Sequence, residues 1–168
     1  MAPRRFHRLR ATVKGKRLSA SYSEGRLPRS GLPDYVQEDS HSCGFLACLT
    51  VVHKFWPCIP AMDVLRIVQP HVGGGVDTRR MVRSLAHFNI SAEYKERLGA
   101  IRIQRCIDAG QCVIVTVWPW DWYCDHWTVV RSCIGKVVLC NHGPTRGMSW
   151  ETFSEEWEPH GGAVVCWK

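Results

Sequence analysis

The sequence predicts an α+β domain: a helical first half followed by an antiparallel sheet. Three observations carry this. Between Ser42 and Phe55 the residues Phe45, Leu46, Leu49, Val52 and Phe55 recur at three- and four-residue spacing, the period of a buried helix face. Cys112–Trp118 is a continuous, β-branched apolar run, too short for a helix and therefore a buried strand. Trp127–Ile134 and Val137–Asn141 flank Gly135-Lys136, which reads as a two-residue hairpin turn.

Taken in order, residues 1–30 form a basic arm in which no apolar period is sustained, either a solvated tail or a docking segment for an acidic partner or nucleic acid. Turn chemistry at Gly31-Leu32-Pro33-Asp34 marks a boundary, and residues 31–168 form the folded domain. Ser40 or Ser42 caps the first helix, which stops near Trp56 because Pro57 cannot continue it. Pro60 starts a short helix through Val68. Gly73-Gly74-Gly75 separates it from a helix that Asp77 or Thr78 caps and that runs through Met81, Val82, Leu85 and Phe88. Ile90–Tyr94 is a strand, and Ile101–Ala109 is a helix with Gly110 at its C-terminus. After the strands described above, Trp150, Phe153 and Trp157 share one side of a short helix, and Ala163–Trp167 closes the sheet.

The composition bounds the function. Hydrophobic residues make up 45% of the 168, enough for a real core. Residues 1–30 hold nine Lys/Arg and one Glu, a net of +8, whereas residues 31–168 hold 13 and 14, a net of −1. A nearly neutral body argues against a nucleic-acid-binding core and confines polyanion affinity to the arm. Nine cysteines, an odd number spread along the chain, do not resemble a disulfide scaffold. No apolar segment follows Arg4-Arg5, and no run reaches the roughly 18 residues of a membrane span. A cytoplasmic protein with free thiols is the expectation.

The chemistry centres on Cys43. At a helix start a thiol feels the positive end of the helix dipole, which favours the nucleophilic thiolate. A cysteine nucleophile needs a base, and the base an orienting partner. His126 opens a strand after the loop Pro119–Asp125 and suits the base. His41 is a rival by proximity, but its side chain would have to fold back over the first helical turn. Pairing across Gly135-Lys136 sets Val130 opposite Asn141, close enough to His126 for Asn141 to orient it; His142, on the opposite face, is the rival. Gln37, with the Cys43 backbone N–H, would form an oxyanion hole. Trp120, Trp122 and Trp127 offer an aromatic wall beside the base, and Gly44 a close approach next to the thiol. No metal is expected: Cys124-x-His126 and Cys140-x-His142 lack the Cys-x₂₋₄-Cys pairs of structural zinc sites.

Tyr35-Val36-Gln37, five residues, then Cys43-Gly44 and a helix resembles papain-like cysteine peptidases, above all the bacteriocin-processing (double-glycine leader) peptidase domains of peptide exporters and their soluble relatives. His126-Trp127-Thr128-Val129-Val130 resembles the strand carrying their histidine. Asn141-His142-Gly143-Pro144 departs from their usual Asp-Pro and looks like the asparagine of papain itself. The resemblance covers about residues 33–167. It implies a papain-like fold with no cofactor, and thiol hydrolysis of a peptide or protein amide by Cys43, His126, Asn141 and Gln37. Acyl transfer on the same fold, or a catalytically silent peptide-binding adaptor, are the alternatives.

Overall fold

The computed structural model describes residues 5–13, 16–24, 31–33, 35–37, 39, 41–71, 75–118, 125–140, 146–157 and 161–168, with 5–24 and 146 as backbone only. Its helices are α1 (Cys43–Phe55), α2 (Ala61–Val68), α3 (Thr78–His87), α4 (Ala100–Asp108) and α5 (Trp150–Trp157). The strands are β1 (Arg5–Val13), β2 (Lys16–Glu24), β3 (Tyr35–Gln37), β4 (Ser91–Glu96), β5 (Cys112–Val117), β6 (His126–Ser132), β7 (Val137–Leu139), β8 (Arg146–Met148) and β9 (Gly162–Trp167).

α1 is the axis of the fold. Cys43 through Val52 are all buried, and the helix packs along β6. Its last backbone bond runs from Trp56 N–H to Val52 O at 2.7 Å, immediately before the proline that ends it. Pro60 precedes α2, and Asp77 caps α3 by accepting from the Arg80 N–H at 2.8 Å. Asn89, at φ +55°, turns the chain into β4.

β4 to β9 form one antiparallel sheet in the order β4-β9-β5-β6-β7-β8. One face sets Cys112, Ile114, Val129, Val164 and Cys166 against α1, α2 and α3. The other sets Val113, Val115, Val130 and Val165 against Ile103 of α4 and Phe153 and Trp157 of α5. The central strands are therefore buried on both faces, which is why every position of β5 is buried, whereas the edge strand β4 is largely exposed. The helices are not gathered into one lobe: α4 and α5 cover the side away from α1.

One local expectation needs correction. Gly135-Lys136 is not a two-residue turn: β6 ends at Ser132 and β7 begins at Val137, with Gly135 at φ +70° inside a four-residue connection. A register shift between Val130 and Ser132 then sets Val130 opposite Leu139, not Asn141. Residues 5–24 also carry regular structure. β1 and β2 pair as a hairpin and β2 pairs antiparallel with β3, so the basic segment is bonded to the strand carrying Gln37. No helix among the described residues is long and apolar enough to cross a membrane.

Candidate active site

Cys43 is the first residue of α1 and is 7% exposed. Ser42 holds the N-cap position, its carbonyl accepting from Leu46 N–H at 2.8 Å, but its side chain makes no capping bond. Asp39 does that work. Its Oδ1 accepts from the backbone N–H groups of both His41 and Ser42, each at 2.7 Å, and folds the loop into the helix start. Its mark in the sequence is an aspartate three residues before the N-cap.

His126 is the first residue of β6 and is 1% exposed. It stands opposite Val117 on the terminal rung of the β5–β6 ladder. Its neighbour Trp127, half-buried, packs on the α1 side. There Gly44 is decisive: a Cβ on it would stand 3.2 Å from Trp127 Cδ1 and 2.6 Å from Val76 Cβ. The residue after the candidate nucleophile thus lies close to the residue after the candidate base, while the nearer approach of Val76 is what leaves no room for a side chain at Gly44. Alternation along β6 turns Trp127 and Val129 toward α1 and Val130 toward the α4–α5 layer. His126 shares the parity of Val130 and sits where β5 ends.

Gln37 ends β3, where it pairs with Ala20 of β2. Its Nε2 donates to the Asp39 carbonyl, and its Oε1 is buried without a hydrogen bond among the described residues. Tyr35, two residues earlier and buried, hydrogen-bonds through its hydroxyl to Nδ1 of His53, whose Nε2 lies 2.7 Å from the Ile59 carbonyl. A carbonyl only accepts, so His53 Nε2 carries the proton and Nδ1 accepts from Tyr35. This bridge, which sequence reasoning did not find, ties β3 to the last turn of α1. Burial lowers the His53 pKa, a shift opposed by its bond to the Ile59 carbonyl.

Asn141, its rival His142, Trp120 and Trp122 lie outside the described residues, as do Gly73, Gly74 and Cys124. The strand leading to Asn141 is described. Cys140 N–H donates to Val129 O at 2.9 Å, and Thr128 Oγ1 donates to Cys140 O.

Burial pushes Cys48 up to about 12 and Cys112 and Cys133 up to about 11, and Cys166 rises for the same reason. Such thiols stay protonated and unreactive at neutral pH. Cys58 is exposed. No group of three or more His, Cys, Asp or Glu is placed to hold a metal among the described residues.

No family model and no curated protein matches the sequence. Solved structures do resemble the fold. One is the peptidase domain of Streptococcus ComA, a bi-functional ABC transporter involved in a quorum sensing pathway. It has a TM-score of 0.62 at 16% identity, over 78% of this chain and 94% of that one. Another is a double glycine motif protease from an AMS/PCAT transporter in complex with the leader peptide. Its TM-score is 0.61 at 14% identity, over 85% and 94%. A third is a C39-like peptidase from Bacillus anthracis, with a TM-score of 0.63 at 13% identity, over 86% and 98%. The chain has the α+β fold of these papain-like C39 peptidase domains, as its Gln37…Cys43-Gly44 resemblance implied.

Proposed function

We propose that this chain is a cysteine peptidase that cleaves an amide bond of a peptide or protein through an acyl-enzyme on Cys43. The observation that carries this is the Gly44–Trp127 contact, which joins the start of α1 to the head of β6 on a fold shared with peptidase domains.

The Cys43 thiolate adds to the carbonyl carbon. The oxyanion takes a hydrogen bond from the Cys43 backbone N–H, for which the helix supplies no intrahelical acceptor. A second comes from Gln37, whose amide has two N–H groups, one of them directed at Asp39 O. His126, protonated by the thiol, gives its proton to the leaving nitrogen as the C–N bond breaks. It then takes a proton from water, which adds to the thioester; loss of the C–S bond releases the acid and restores Cys43. Asn141 holds the imidazole. Its predecessor Cys140 is bonded to Val129 and Thr128, the latter two residues from His126.

The AMS/PCAT protease was solved with a leader peptide, which supports a peptide as the substrate class here. Trp127, with Trp120 and Trp122, is assigned to the wall of its path; Gly44, covered by Val76, backs the junction and does not line it. A cytoplasmic setting suits a thiol nucleophile, and the basic hairpin suits an acidic partner or nucleic acid. The experiment is labelling by an electrophilic peptide vinyl sulfone. One label on Cys43, lost in Cys43→Ala together with turnover of a peptide library, supports the reading. Equal peptide affinity for wild type and Cys43→Ser with no turnover by either would establish a binding domain instead.

A further inference from the structure

The near-neutral net charge of residues 31–168 conceals a local concentration that sequence reasoning missed. A groove of about 450 Å³ lies between α2 and α3. Arg66 reaches it from α2, and Arg79, Arg80, Arg83 and His87 from α3, against one carboxylate, Asp77. Arg79, Arg83 and His87 follow one another at four-residue spacing and so share a helix face. α3 contains no acidic residue to offset them. Asp77 is occupied in capping the helix. Arg66 is paired with Asp63 at 3.0 Å, and Arg80 donates to the Gln69 carbonyl. Among the described residues Arg79 and Arg83 make no ion pair. Like charges one turn apart destabilise a helix, and a bound anion relieves them.

We propose that this groove docks an acidic stretch of the peptide substrate, an inference that rests on the peptidase reading above. Its place in the chain favours a peptide. Asp77 at the rim follows Val76, and Val76 touches the position of Gly44 beside Cys43. The helices that wall the groove, α2 and α3, both pack on α1, which begins at Cys43, and this suits thiol and groove to one long peptide. The lining argues against nucleic acid. No Phe, Tyr or Trp is present for base stacking.

The test is fluorescence anisotropy with fluorescein-labelled hexaglutamate and the full chain. Arg79→Ala/Arg83→Ala should weaken binding by about tenfold or more, while Arg79→Lys/Arg83→Lys keeps most of the affinity. Arg8→Ala/Arg10→Ala, in the basic hairpin, should weaken it less than about twofold. Labelled hexathymidylate should bind more weakly than hexaglutamate. Equal losses from the groove and hairpin pairs, no loss from the groove pair, or tighter binding of hexathymidylate would each overturn the proposal. Cys43→Ala should bind hexaglutamate as wild type does. Failure of vinyl sulfone labelling would thus defeat the peptidase reading and leave this affinity measurable, whereas an unaffected groove pair with intact labelling defeats only the docking site.

Discussion

Gly44→Ala is the substitution that most sharply probes the junction of α1 and β6. The new methyl would stand 2.6 Å from Val76 Cβ, 3.0 Å from its Cγ2 and 3.2 Å from Trp127 Cδ1. Carbon pairs relax at about 3.5–4.0 Å, so roughly 1 Å of separation must be created. The obstacle is a branch point next to the backbone, not a flexible tip. In a helix the change would ordinarily gain about 0.5–1 kcal/mol. Overpacking a filled site costs about 1–3 kcal/mol, and a 2.6 Å approach to a branch carbon belongs at the upper end, leaving a net loss of up to about 2.5 kcal/mol. Urea denaturation should show a lower midpoint at unchanged slope. Val76→Ala removes only the Cγ carbons and should not rescue the variant, whereas in a Val76→Gly background the added penalty of Gly44→Ala should vanish. A Gly44→Ala protein as stable as wild type, or more so, would refute the packing of this junction.

Other outcomes follow from the same geometry. Asp39→Ala removes the acceptor for two backbone N–H groups and should lose about 1–2 kcal/mol in urea denaturation; Asp39→Asn, which keeps one carbonyl oxygen, should lose less. His53 is held neutral, with its pKa below the usual 6.5. Its contribution to stability is therefore complete above 6.5 and is lost as pH falls through the folded value. The urea midpoint should fall from pH 7.5 to pH 5 more in wild type than in His53→Gln, as measured side by side. Maleimide at pH 7 should modify Cys58 readily and leave Cys48 and Cys112 unmodified in the folded chain, as read by peptide mass mapping.

How much was legible in the sequence depended on whether a local period existed. α1 was readable because its apolar residues fall on one helical face and Pro57 ends it. β5 was readable because both of its faces are buried, which leaves an unbroken apolar run. β1 and β2 have no sustained apolar period; their pairing is set by each other and by β3, a relation between distant segments. β8 has only three residues, too few to show a pattern. The β6–β7 register was misread because an irregularity between Val130 and Ser132 shifts it, and an extra residue in a ladder leaves no mark in composition. In the candidate site Cys43, His126 and Gln37 are proposed from their order and spacing. Asp39 and the Tyr35–His53 bridge leave no such mark, because a cap and a cross-element hydrogen bond are chosen by geometry among several residues of suitable type. The arginine groove was hidden by summation: Arg66 and the α3 arginines lie on different helices, and the acids that balance them in the total lie elsewhere.

The partnership of Cys43 with His126 is tested most directly by the rate at which a peptide vinyl sulfone alkylates Cys43, followed from pH 5 to 9 in a Cys58→Ser background. A paired thiol should react at pH 7 roughly a hundredfold faster than the same thiol in the urea-unfolded chain, and His126→Ala should abolish that advantage. A Cys43 rate that is indifferent to His126→Ala, or no faster than in the unfolded chain, would contradict it.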